Sequence, residues 1–404
     1  MKKKKIIIIG GGAAGFFCAA NLDEAKFHVT ILEQNSDVLQ KVKISGGGRC
    51  NVSHACFDPK DLVQFYPRGN KELLSVFHKF QPGDTMEWFE NRGVSLKIEK
   101  DNRIFPESNS SQSIIDAMLH DVRKKNFEIR TKSVVLEIEK LEHQYLVKTN
   151  SGDFIADEIV YTTGSSPKSF KILQKFGHQI VELVPSLFTF NIKNDVLKDL
   201  MGTSFLNAEV SIPQLKMDES GPMLITHWGL SGPAILKISA WKARELAAMK
   251  YQFSILVNFL GIDLEDASEI FHEFRQDNPK KTIGASKIFD ITSRFWHRIL
   301  FLAKVDLNKN ISSLSTKEIQ NILQNLCKNE MKVTGKSTYK DEFVTAGGIE
   351  LKEINFKNMS SKILENFYIA GEVLNIDAVT GGFNFQACWS EGFLIAQDLN
   401  SKTF

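Results

Sequence analysis

The strongest pattern of apolar and polar positions lies in residues 5–33, which read KIIIIGGGAAGFFCAANLDEAKFHVTILE. Ile6–Ile9 form a β-branched run of the kind found in strands that are buried on both faces of a parallel sheet. Three glycines follow, and mostly apolar, helix-forming residues then extend over Ala14–Leu22. A second apolar run, Val29–Leu32, ends at Glu33. The pattern therefore predicts a strand, a glycine-rich turn, a helix, a second strand and a terminal acid.

The glycine-rich turn carries chemistry that suits a dinucleotide, because Gly10, Gly12 and Gly15 have the spacing G-x-G-x-x-G. The first glycine permits a tight turn, the second lets a pyrophosphate approach the backbone, and the third lets the helix pack on the strand. Free N–H groups and the positive end of the helix dipole then face the phosphates. Glu33 lies 18 residues beyond Gly15, where a carboxylate binds the adenosine ribose and repels the 2′-phosphate of NADP.

Two other interpretations of the N-terminal stretch remain open. Lysines followed by apolar residues also occur in signal peptides, which here would be cleaved after Ala20. The consecutive glycines interrupt the apolar core of such a peptide, whereas a phosphate-binding turn explains them. A glycine turn without a ligand is the other alternative.

The chain up to residue 187 continues with mixed elements. Residues 71–97 predict two helices, and residues 103–119 predict a turn that leads into another helix. Residues 128–149 alternate polar and apolar positions, which predicts two or three antiparallel strands. A strand over Ile155–Thr163 would return to the sheet and stop at the turn Thr163–Pro167, near the first phosphate loop.

The pattern changes in residues 188–341. Phe188–Ile192 and Glu209–Leu215 alternate as strands do, while residues 263–330 are largely helical in pattern. We therefore expect a segment with both strands and helices that is distinct from the N-terminal domain.

The stretch Met223–Leu236, MLITHWGLSGPAIL, predicts a strand that ends at Thr226, a loop that carries His227 and Ser231, and a helix that runs from Pro233 to about Met249. The helix N-terminus would then stabilise a developing oxyanion, with His227 as the proton donor. The alternative is an ordinary strand-to-helix turn without chemistry.

A second glycine-rich loop, Ser45–Asn51 or SGGGRCN, directly follows the first strand–helix–strand unit. Three glycines beside an arginine and an asparagine predict backbone that lies against a flat or anionic ligand. Lys41 and Arg49 would add positive charge. A mobile surface loop is the alternative.

The C-terminal segment distinguishes FAD from NAD. Phe367–Val373 predicts a buried strand that contains Gly371 and Glu372, and a last helix follows over about Phe385–Leu399. Glu372 would accept hydrogen bonds from the ribityl hydroxyls of FAD. The N-terminus of the helix at Gly381–Asn384 would face the flavin pyrimidine oxygen, where reduced flavin carries negative charge. A glycine turn before a packing helix is the alternative.

Composition narrows the classes of function. The 404 residues include 50 Lys and Arg and 48 Asp and Glu, a near-neutral balance that gives no support for a nucleic-acid partner. No apolar run approaches the ~18 residues of a membrane span. The five cysteines contain no C-x-x-C and the nine histidines no metal-binding spacing, so we expect no disulfide framework, no metal and a reducing cytoplasm.

Six blocks carry a family resemblance, and in chain order they are GGGAAG (10–15), KVKISGGGRCN (41–51), RIFPESN (103–109), ITHWGLSGPAIL (225–236), TAGGIE (345–350) and FYIAGEVLNIDAVTGGFNFQACWSEG (367–392). They resemble the BaiN/YhiN-like family of NAD(P)/FAD-dependent oxidoreductases, within the glutathione-reductase-type flavoprotein superfamily, over essentially the whole chain. The resemblance implies an α/β fold: a Rossmann-like FAD-binding domain built from both chain ends, with an inserted β-barrel-like substrate domain and a small helical bundle. The expected boundaries are 1–187, 188–341 and 342–404. Family activities are redox reactions on small molecules, including reduction of conjugated carbonyls and oxidation of small amines.

The motifs and the resemblance together predict the residues that bind FAD: Gly10, Gly12, Ala13, Ala14, Gly15, Glu33, Gln34, Lys41, Ser45, Gly46, Gly47, Arg49, Cys50, Asn51, Val135, Thr163, Gly164, Gly371, Glu372, Asp377, Gly382, Phe383, Asn384 and Phe385. Two features depart from the family. The turn after Thr163 is shorter than the family's glycine-rich stretch, and Ala378 stands where a glycine is common.

These observations predict an FAD-dependent oxidoreductase that transfers a hydride between the flavin and a small organic molecule. No second dinucleotide fingerprint is visible, so NADH or NADPH would visit the flavin without a domain of its own, or oxygen would be the electron acceptor. His227 is the candidate for proton transfer.

Three alternatives stay open. The first is a disulfide reductase that uses Cys50 and Cys56 as a redox pair. The second is a flavin- or nucleotide-binding sensor without catalysis. The third is a flavoprotein that acts on RNA, which the near-neutral charge disfavours.

Overall fold

A computed structural model describes residues 3–337 and 344–403. Met1 and Lys2, at the start of the lysine run, and the predicted boundary between residues 341 and 342 lie outside the described residues. The chain divides into two compact units. We call Met1–Val184 with Lys340–Phe404 the first unit, and Pro185–Tyr339 the second unit.

The strands are β1 (Lys4–Ile9), β2 (Phe27–Leu32), β3 (Ser53–His54), β4 (Leu96–Ile98), β5 (Arg103–Pro106), β6 (Glu128–Arg130), β7 (Val135–Lys140), β8 (Tyr145–Thr149), β9 (Gly152–Ala156), β10 (Glu158–Tyr161), β11 (Ile180–Ser186), β12 (Thr189–Ile192), β13 (Ser204–Ile212), β14 (Met217–Ile225), β15 (Gly229–Ser231), β16 (Phe253–Asn258), β17 (Asn329–Ser337), β18 (Val344–Ile349), β19 (Ile354–Asn355), β20 (Ser360–Ser361) and β21 (Phe367–Ile369). The helices are α1 (Ala13–Asn21), α2 (Gln40–Ile44), α3 (Pro59–Leu62), α4 (Asn70–Phe77), α5 (Pro82–Glu90), α6 (Ser111–Lys124), α7 (Pro167–Lys175), α8 (Pro233–Trp241), α9 (Ala243–Ala248), α10 (Leu264–Asp277), α11 (Ser293–Leu302), α12 (Thr316–Cys327) and α13 (Phe383–Ser401).

The first unit is built on a seven-stranded sheet with the order β19-β20-β21-β10-β1-β2-β6. The five strands from β21 to β6 run parallel, and β1 pairs with both β2 and β10. Ile6–Ile9 are buried, as the apolar run predicted. Because β21 joins this sheet beside β10, the C-terminal segment returns to the N-terminal domain. The carboxyl ends of the parallel strands meet at one edge, where ligands bind in open α/β sheets.

Helix α13, from the C-terminal end of the chain, packs against α1, from the N-terminal end. A Cβ atom added at Gly392 would lie 2.6 Å from the carbonyl oxygen of Ala14, so the two helix backbones are in close contact. The rings of Phe17 and Trp389 lie 5.3 Å apart in the same interface. The last helix begins at Phe383, two residues before the predicted start.

The predicted single strand over residues 155–163 is wrong, because the chain changes sheets at Asp157. β9 belongs to the antiparallel sheet β7-β8-β9, and β10 belongs to the parallel sheet. The backbone N–H of Asp157 donates to the carbonyl oxygen of Lys5, and its carboxylate accepts the Lys5 N–H at 2.7 Å. Apolar content on both sides of this residue hid the break from the sequence pattern.

The second unit contains a closed antiparallel barrel with the order β12-β15-β14-β13-β16-β17. Its core is apolar, and the rings of Phe190 and Phe253 meet edge to face at 5.2 Å. Helices α10, α11 and α12 cover this core and share it. The fold class predicted from the resemblance is therefore confirmed, with a Rossmann-like sheet, a barrel and a small set of helices.

Candidate functional site

The three fingerprint glycines in and after the turn between β1 and α1 have different surroundings. Gly10 has φ +107°, and a Cβ atom there would lie 2.3 Å from the carbonyl oxygen of Thr162. A Cβ atom at Gly15 would lie 2.4 Å from the carbonyl oxygen of Gly10. A Cβ atom at Gly12 would meet no protein atom within 4 Å. Gly10 and Gly15 therefore serve packing, whereas Gly12 faces open space of the kind that a pyrophosphate needs.

The first turn of α1, with Ala13 and Ala14, follows this open face and presents its N–H groups there. On the far side of the turn the hydroxyl of Thr162 donates to the carbonyl oxygens of Ile9 and Gly10. Thr163 and Gly164 come next, and a Cβ atom at Gly164 would also meet no protein atom within 4 Å. The turn after β10 thus borders the phosphate loop, as the strand order predicted.

Glu33 is buried at the end of β2 and is tied to the phosphate loop. Its carboxylate accepts the N–H of Gly11 at 2.8 Å and the N–H of Asn35 at 2.8 Å. The Asn35 side-chain amide donates to the same oxygen as the Asn35 N–H, also at 2.8 Å, so acceptor capacity for a ribose hydroxyl remains on the oxygen that accepts the Gly11 N–H. Gln34 beside it is exposed, and the segment that leads into Val135 lies close by, because the Ser133 N–H donates to the Glu33 carbonyl at 2.8 Å.

The second glycine-rich loop is a tight turn over Ser45–Gly48 rather than an open coil. Gly46 and Gly47 both have φ values in the left-handed region, and the Cys50 N–H closes the loop on the Ser45 carbonyl at 3.0 Å. A Cβ atom at Gly47 would meet no protein atom within 4 Å. Backbone is thus exposed at the point where a ligand contact is predicted.

The two cysteines of this region, Cys50 and Cys56, are free thiols whose pKa values are raised. Cys50 is buried, and its burial raises the pKa of the thiol to about 12. Burial and the carboxylates of Asp61 and Asp58 also raise the pKa of the Cys56 thiol. Both thiols are free, and neither is disposed to form the thiolate that disulfide exchange needs. These observations argue against the disulfide-reductase alternative.

The two cations predicted beside the cofactor each contact a carboxylate. Lys41 forms an ion pair with Glu372, and Arg49 forms one with Glu99 at 2.7 Å. The guanidinium of Arg49 also lies over the Phe105 ring, 3.9 Å from its centroid. The positive charge of both side chains is therefore largely compensated, and Glu372 shares its carboxylate with Lys41.

The C-terminal part of the site is held by side chains that the sequence pattern did not predict. The N–H of Gly371 donates to the carboxylate of Glu391 at 2.6 Å, and the second carboxylate oxygen of Glu391 is buried without a hydrogen-bond partner among the described residues. Asp377, predicted to touch FAD, is fully buried and paired with both arms of the Arg68 guanidinium. Glu391 could have been found from the sequence, because it is a charged residue inside an otherwise apolar helix. Nothing in the sequence near Asp377 indicates Arg68 as its partner.

The first turn of α13 is presented to the same edge of the sheet. The hydrogen bonds within the helix begin with the Gln386 N–H on the Gly382 carbonyl, so the preceding N–H groups stay outside the helical pattern. The Asn384 amide oxygen accepts the Ala378 N–H at 3.0 Å. The side chain of Asn384 therefore holds the preceding loop in position. Only its backbone N–H is then left to face a flavin.

Neighbouring residues fix this turn in place. A Cβ atom at Gly382 would lie 2.6 Å from the Ser53 carbonyl oxygen, and the Asn51 amide, correctly oriented, accepts the Gly382 N–H at 3.0 Å. The Phe383 carbonyl accepts the Tyr66 hydroxyl at 2.6 Å, and the Phe385 ring stacks on Trp389. Open glycine faces, helix N–H groups outside the helical pattern and a buried carboxyl oxygen without a partner among the described residues together fit a long dinucleotide along this edge.

His227 lies in the second unit, at the tip of the turn between β14 and β15. Thr226 closes the turn, since its N–H donates to the Gly229 carbonyl at 2.8 Å. The predicted start of the helix at Pro233 is confirmed, but the loop predicted to carry His227 and Ser231 is wrong in part, because Gly229–Ser231 form the strand β15. The predicted helix is also interrupted, since Lys242 separates α8 from α9.

The intervening strand separates His227 from the N-terminus of α8. Three residues of strand span roughly 10 Å, so these two groups do not form one oxyanion site. His227 is exposed, and its ring makes no hydrogen bond to any residue in the described ranges.

An open cavity of about 1370 Å³ lies next to His227 in the second unit. Thr226, His227 and Gly229 line one side, and residues of the segment 192–201, of α11 and of the end of α12 line the rest. The described residues contain no group of acidic, histidine and cysteine side chains that would hold a metal ion. No described helix has both the length and the apolar character of a membrane span.

The chain is similar to known proteins over nearly its full length. The model of the family described as "HI0933-like protein Rossmann domain" matches residues 4–398. A ribosomal RNA dihydrouridine synthase of Escherichia coli is 27% identical over 95% of both chains, and a 3-dehydro-bile acid delta(4,6)-reductase of Clostridium scindens is 23% identical over 93% of both. A 3-ketosteroid-delta4-(5alpha)-dehydrogenase of Rhodococcus jostii shares the fold, with a TM-score of 0.51 and 11% identity over 98% of this chain and 97% of its own.

Proposed function

Because this chain belongs to the HI0933-like family and is an FAD-dependent oxidoreductase, we propose that it reduces a carbon–carbon double bond conjugated to a carbonyl group. The names of two relatives support this chemistry, since one makes dihydrouridine in ribosomal RNA and the other is a delta(4,6)-reductase of a 3-dehydro-bile acid. The double bond of a uracil ring and the double bonds of such a bile acid are each conjugated to a carbonyl. That shared bond type, in two relatives with different substrates, is the observation that carries the proposal.

The reaction adds a hydride to the carbon β to the carbonyl and a proton to the α carbon. Bound FAD, after reduction by NADH or NADPH, supplies the hydride. The first turn of α13 presents its N–H groups and its positive dipole end, which favour the negative charge of the reduced state. His227 is the proton donor in this proposal, because its imidazole is exposed beside the cavity and has no competing hydrogen bond among the described residues.

Anaerobic reduction followed by substrate addition tests the proposal. The purified protein would be reduced with NADH or NADPH and then mixed with either cyclohexenone or an unmodified RNA transcript. We expect the flavin absorbance to return with at least one substrate, and the product to carry one added hydride and one added proton. If neither substrate reoxidises the flavin under these conditions, the proposed reaction is wrong.

The His227→Gln variant tests the proton donor separately. We expect substrate-dependent reoxidation to slow by about 100-fold, while FAD content and reduction by the nicotinamide stay unchanged. His143→Gln is a matched control, because His143 is a highly exposed histidine of the first unit. Equal rates in the wild type and His227→Gln would remove His227 from the reaction.

A further inference from the structure

The cavity beside His227 does not have the lining that an apolar small molecule needs. Small-molecule pockets typically enclose about 300–1,000 Å³ and are mostly apolar. This cavity is larger, at about 1370 Å³, and its lining includes four basic and three acidic side chains. Among its apolar members, Ile192, Val196 and Leu197 are only 4–7% exposed, and the exposed apolar surface comes mainly from Met201, which is 58% exposed. A steroid-like ligand would leave many of these polar groups unpaired.

The basic side chains of the cavity are exposed. They are Lys193, Lys198, Arg294 and Lys328. Within the described ranges none of the four has a carboxylate within 4 Å. Three acidic side chains, Asp195, Asp199 and Glu330, also line the cavity, and Asp199 lies 3.8 Å from the guanidinium of Arg298.

The segment that carries two of these lysines is held in place. The guanidinium groups of Arg294 and Arg298, both on α11, donate to the carbonyl oxygens of Asp199 and Lys198. The Asn194 side chain accepts the Val196 N–H at 2.8 Å. The cations are thus presented from a fixed backbone, which lowers the conformational cost of binding a ligand.

An exposed aromatic residue belongs to the turn that lines the same cavity. Trp228 lies between the lining residues His227 and Gly229, and 58% of it is exposed. Its backbone is fixed, because its N–H donates to the Thr226 hydroxyl and its carbonyl accepts the Ile192 N–H at 2.8 Å. An exposed indole on a fixed backbone, next to a groove with basic side chains, is an arrangement that binds single-stranded nucleic acid by stacking and phosphate contacts.

We propose that this cavity is the RNA-binding site of the protein, with backbone phosphates on Lys193, Lys198, Arg294 and Lys328 and an unpaired base stacked on Trp228. The proposal rests on the proposed reaction, and it names a uridine in RNA rather than a free small enone as the substrate. The near-neutral net charge of the chain does not oppose it, because affinity for RNA depends on the local arrangement of cations. Base contact at Trp228 would bring the target ring next to His227, whose ring centroid lies 6.5 Å from that of the indole.

The test is the binding of a fluorescein-labelled 12-nucleotide oligouridylate to the full-length holoprotein, measured by anisotropy over a range of salt concentrations. For Lys198→Gln and Lys328→Gln we expect weaker binding and a salt slope reduced by about 0.7 for each phosphate that the variant no longer neutralises. For Trp228→Leu we expect binding about 10-fold weaker with the slope unchanged. Asp195→Asn and Glu330→Gln should bind more tightly, because each removes a negative charge from the cavity.

Matched controls in the second unit are Lys287→Gln and Trp241→Leu, whose side chains do not line the cavity. Each variant would also be assayed for reduction of cyclohexenone, which tests the proposed reaction independently of RNA binding. Binding that is equal in the cavity variants and the controls would overturn the inference, even where cyclohexenone is reduced. Absence of binding by the wild type at low salt would also overturn it.

Discussion

The carboxyl group of Glu391 is buried, on the long helix α13 and against the Gly371 backbone. Only 1% of the residue is exposed, and among the residues that the structure describes only the Gly371 N–H donates to its carboxyl group. Burial raises the pKa of Glu391 to about 8, and the Gly371 N–H lowers it only in part. The side chain therefore holds its proton at neutral pH, and it fixes a turn that is predicted to touch the cofactor.

This buried acid makes stability depend on pH. In the unfolded chain its pKa is near the ordinary value of 4.5, so only the folded state retains the proton between about 4.5 and 8. The contribution of Glu391 to the free energy of unfolding is therefore highest below pH 4.5 and falls until about pH 8. Glu391→Gln, which stays neutral, should gain stability relative to the wild type as the pH rises through that window.

Urea unfolding at several pH values measures this difference. Glu142→Gln is the matched control, since the side chain of Glu142 is 89% exposed, and its stability should follow that of the wild type. Parallel curves for Glu391→Gln and the wild type would show that Glu391 does not hold a proton in the folded state.

The sequence predicted the glycines of the site better than its charged residues. The backbone roles of Gly10, Gly12 and Gly15 follow from local spacing; the structure shows the close packing expected at Gly10 and Gly15 and leaves open space at Gly12. The ion pairs join residues far apart in the chain, such as Lys41 with Glu372 and Arg68 with Asp377. Local spacing contains no information about such partners, so charges that looked available for phosphate were assigned to FAD.

At the scale of elements, the segment between β21 and α13 is irregular and is held in place by several side-chain contacts. Arg68 pairs with the buried carboxylate of Asp377, and the backbones of these residues form a β-bridge. Asn384 holds the backbone of Ala378 through both atoms of its amide. These contacts fix the N-terminus of α13 at the edge of the sheet, where its orientation matters for the flavin.

Loss of the Arg68 side chain should therefore damage both the fold and the cofactor site. Arg68→Ala leaves the Asp377 carboxylate buried without its guanidinium, and we expect the free energy of unfolding to fall by about 3–5 kcal/mol. We also expect weaker FAD binding, because the start of α13 would lose its support. Urea unfolding and FAD titration measure the two effects.

Arg123→Ala is the matched control for this change, since Arg123 is an exposed arginine of α6 in the same unit. It should leave stability within about 0.5 kcal/mol of the wild type. If Arg68→Ala and Arg123→Ala behaved alike, the pair with Asp377 would not support the segment.

The sequence pattern located most elements and failed where two short strands adjoin. β9 and β10 are both apolar and are separated by Asp157 alone, so they appeared as one strand. β15 has three residues and contains a glycine, which is too short for a periodic signal. In both places tertiary pairing, rather than the local pattern, decides where a strand begins and ends.

At the scale of the whole molecule, the two chain ends form one sheet and one candidate FAD site. The first unit takes β1 and β2 from the N-terminal end and β21 with α13 from the C-terminal end. The opening fingerprint and the late apolar strand predicted this return of the chain. The inserted barrel was predicted from the family resemblance, whereas the alternation over residues 188–192 and 209–215 indicated only that strands were present.

The most direct test of this account is the affinity of the apoprotein for FAD when each chain end is changed separately. Gly12→Ala places a Cβ atom in space where no protein atom lies within 4 Å, and Glu372→Gln changes the carboxylate that we assign to the ribityl chain. Gly335→Ala in β17 is the control, because the nearest atom to its Cβ would be an Asn191 side-chain atom at 3.6 Å. The account predicts at least about 10-fold weaker FAD binding for Gly12→Ala and Glu372→Gln, with the melting temperature of apo Gly12→Ala unchanged and Gly335→Ala equal to the wild type. Wild-type affinity in both of the first two variants would contradict it.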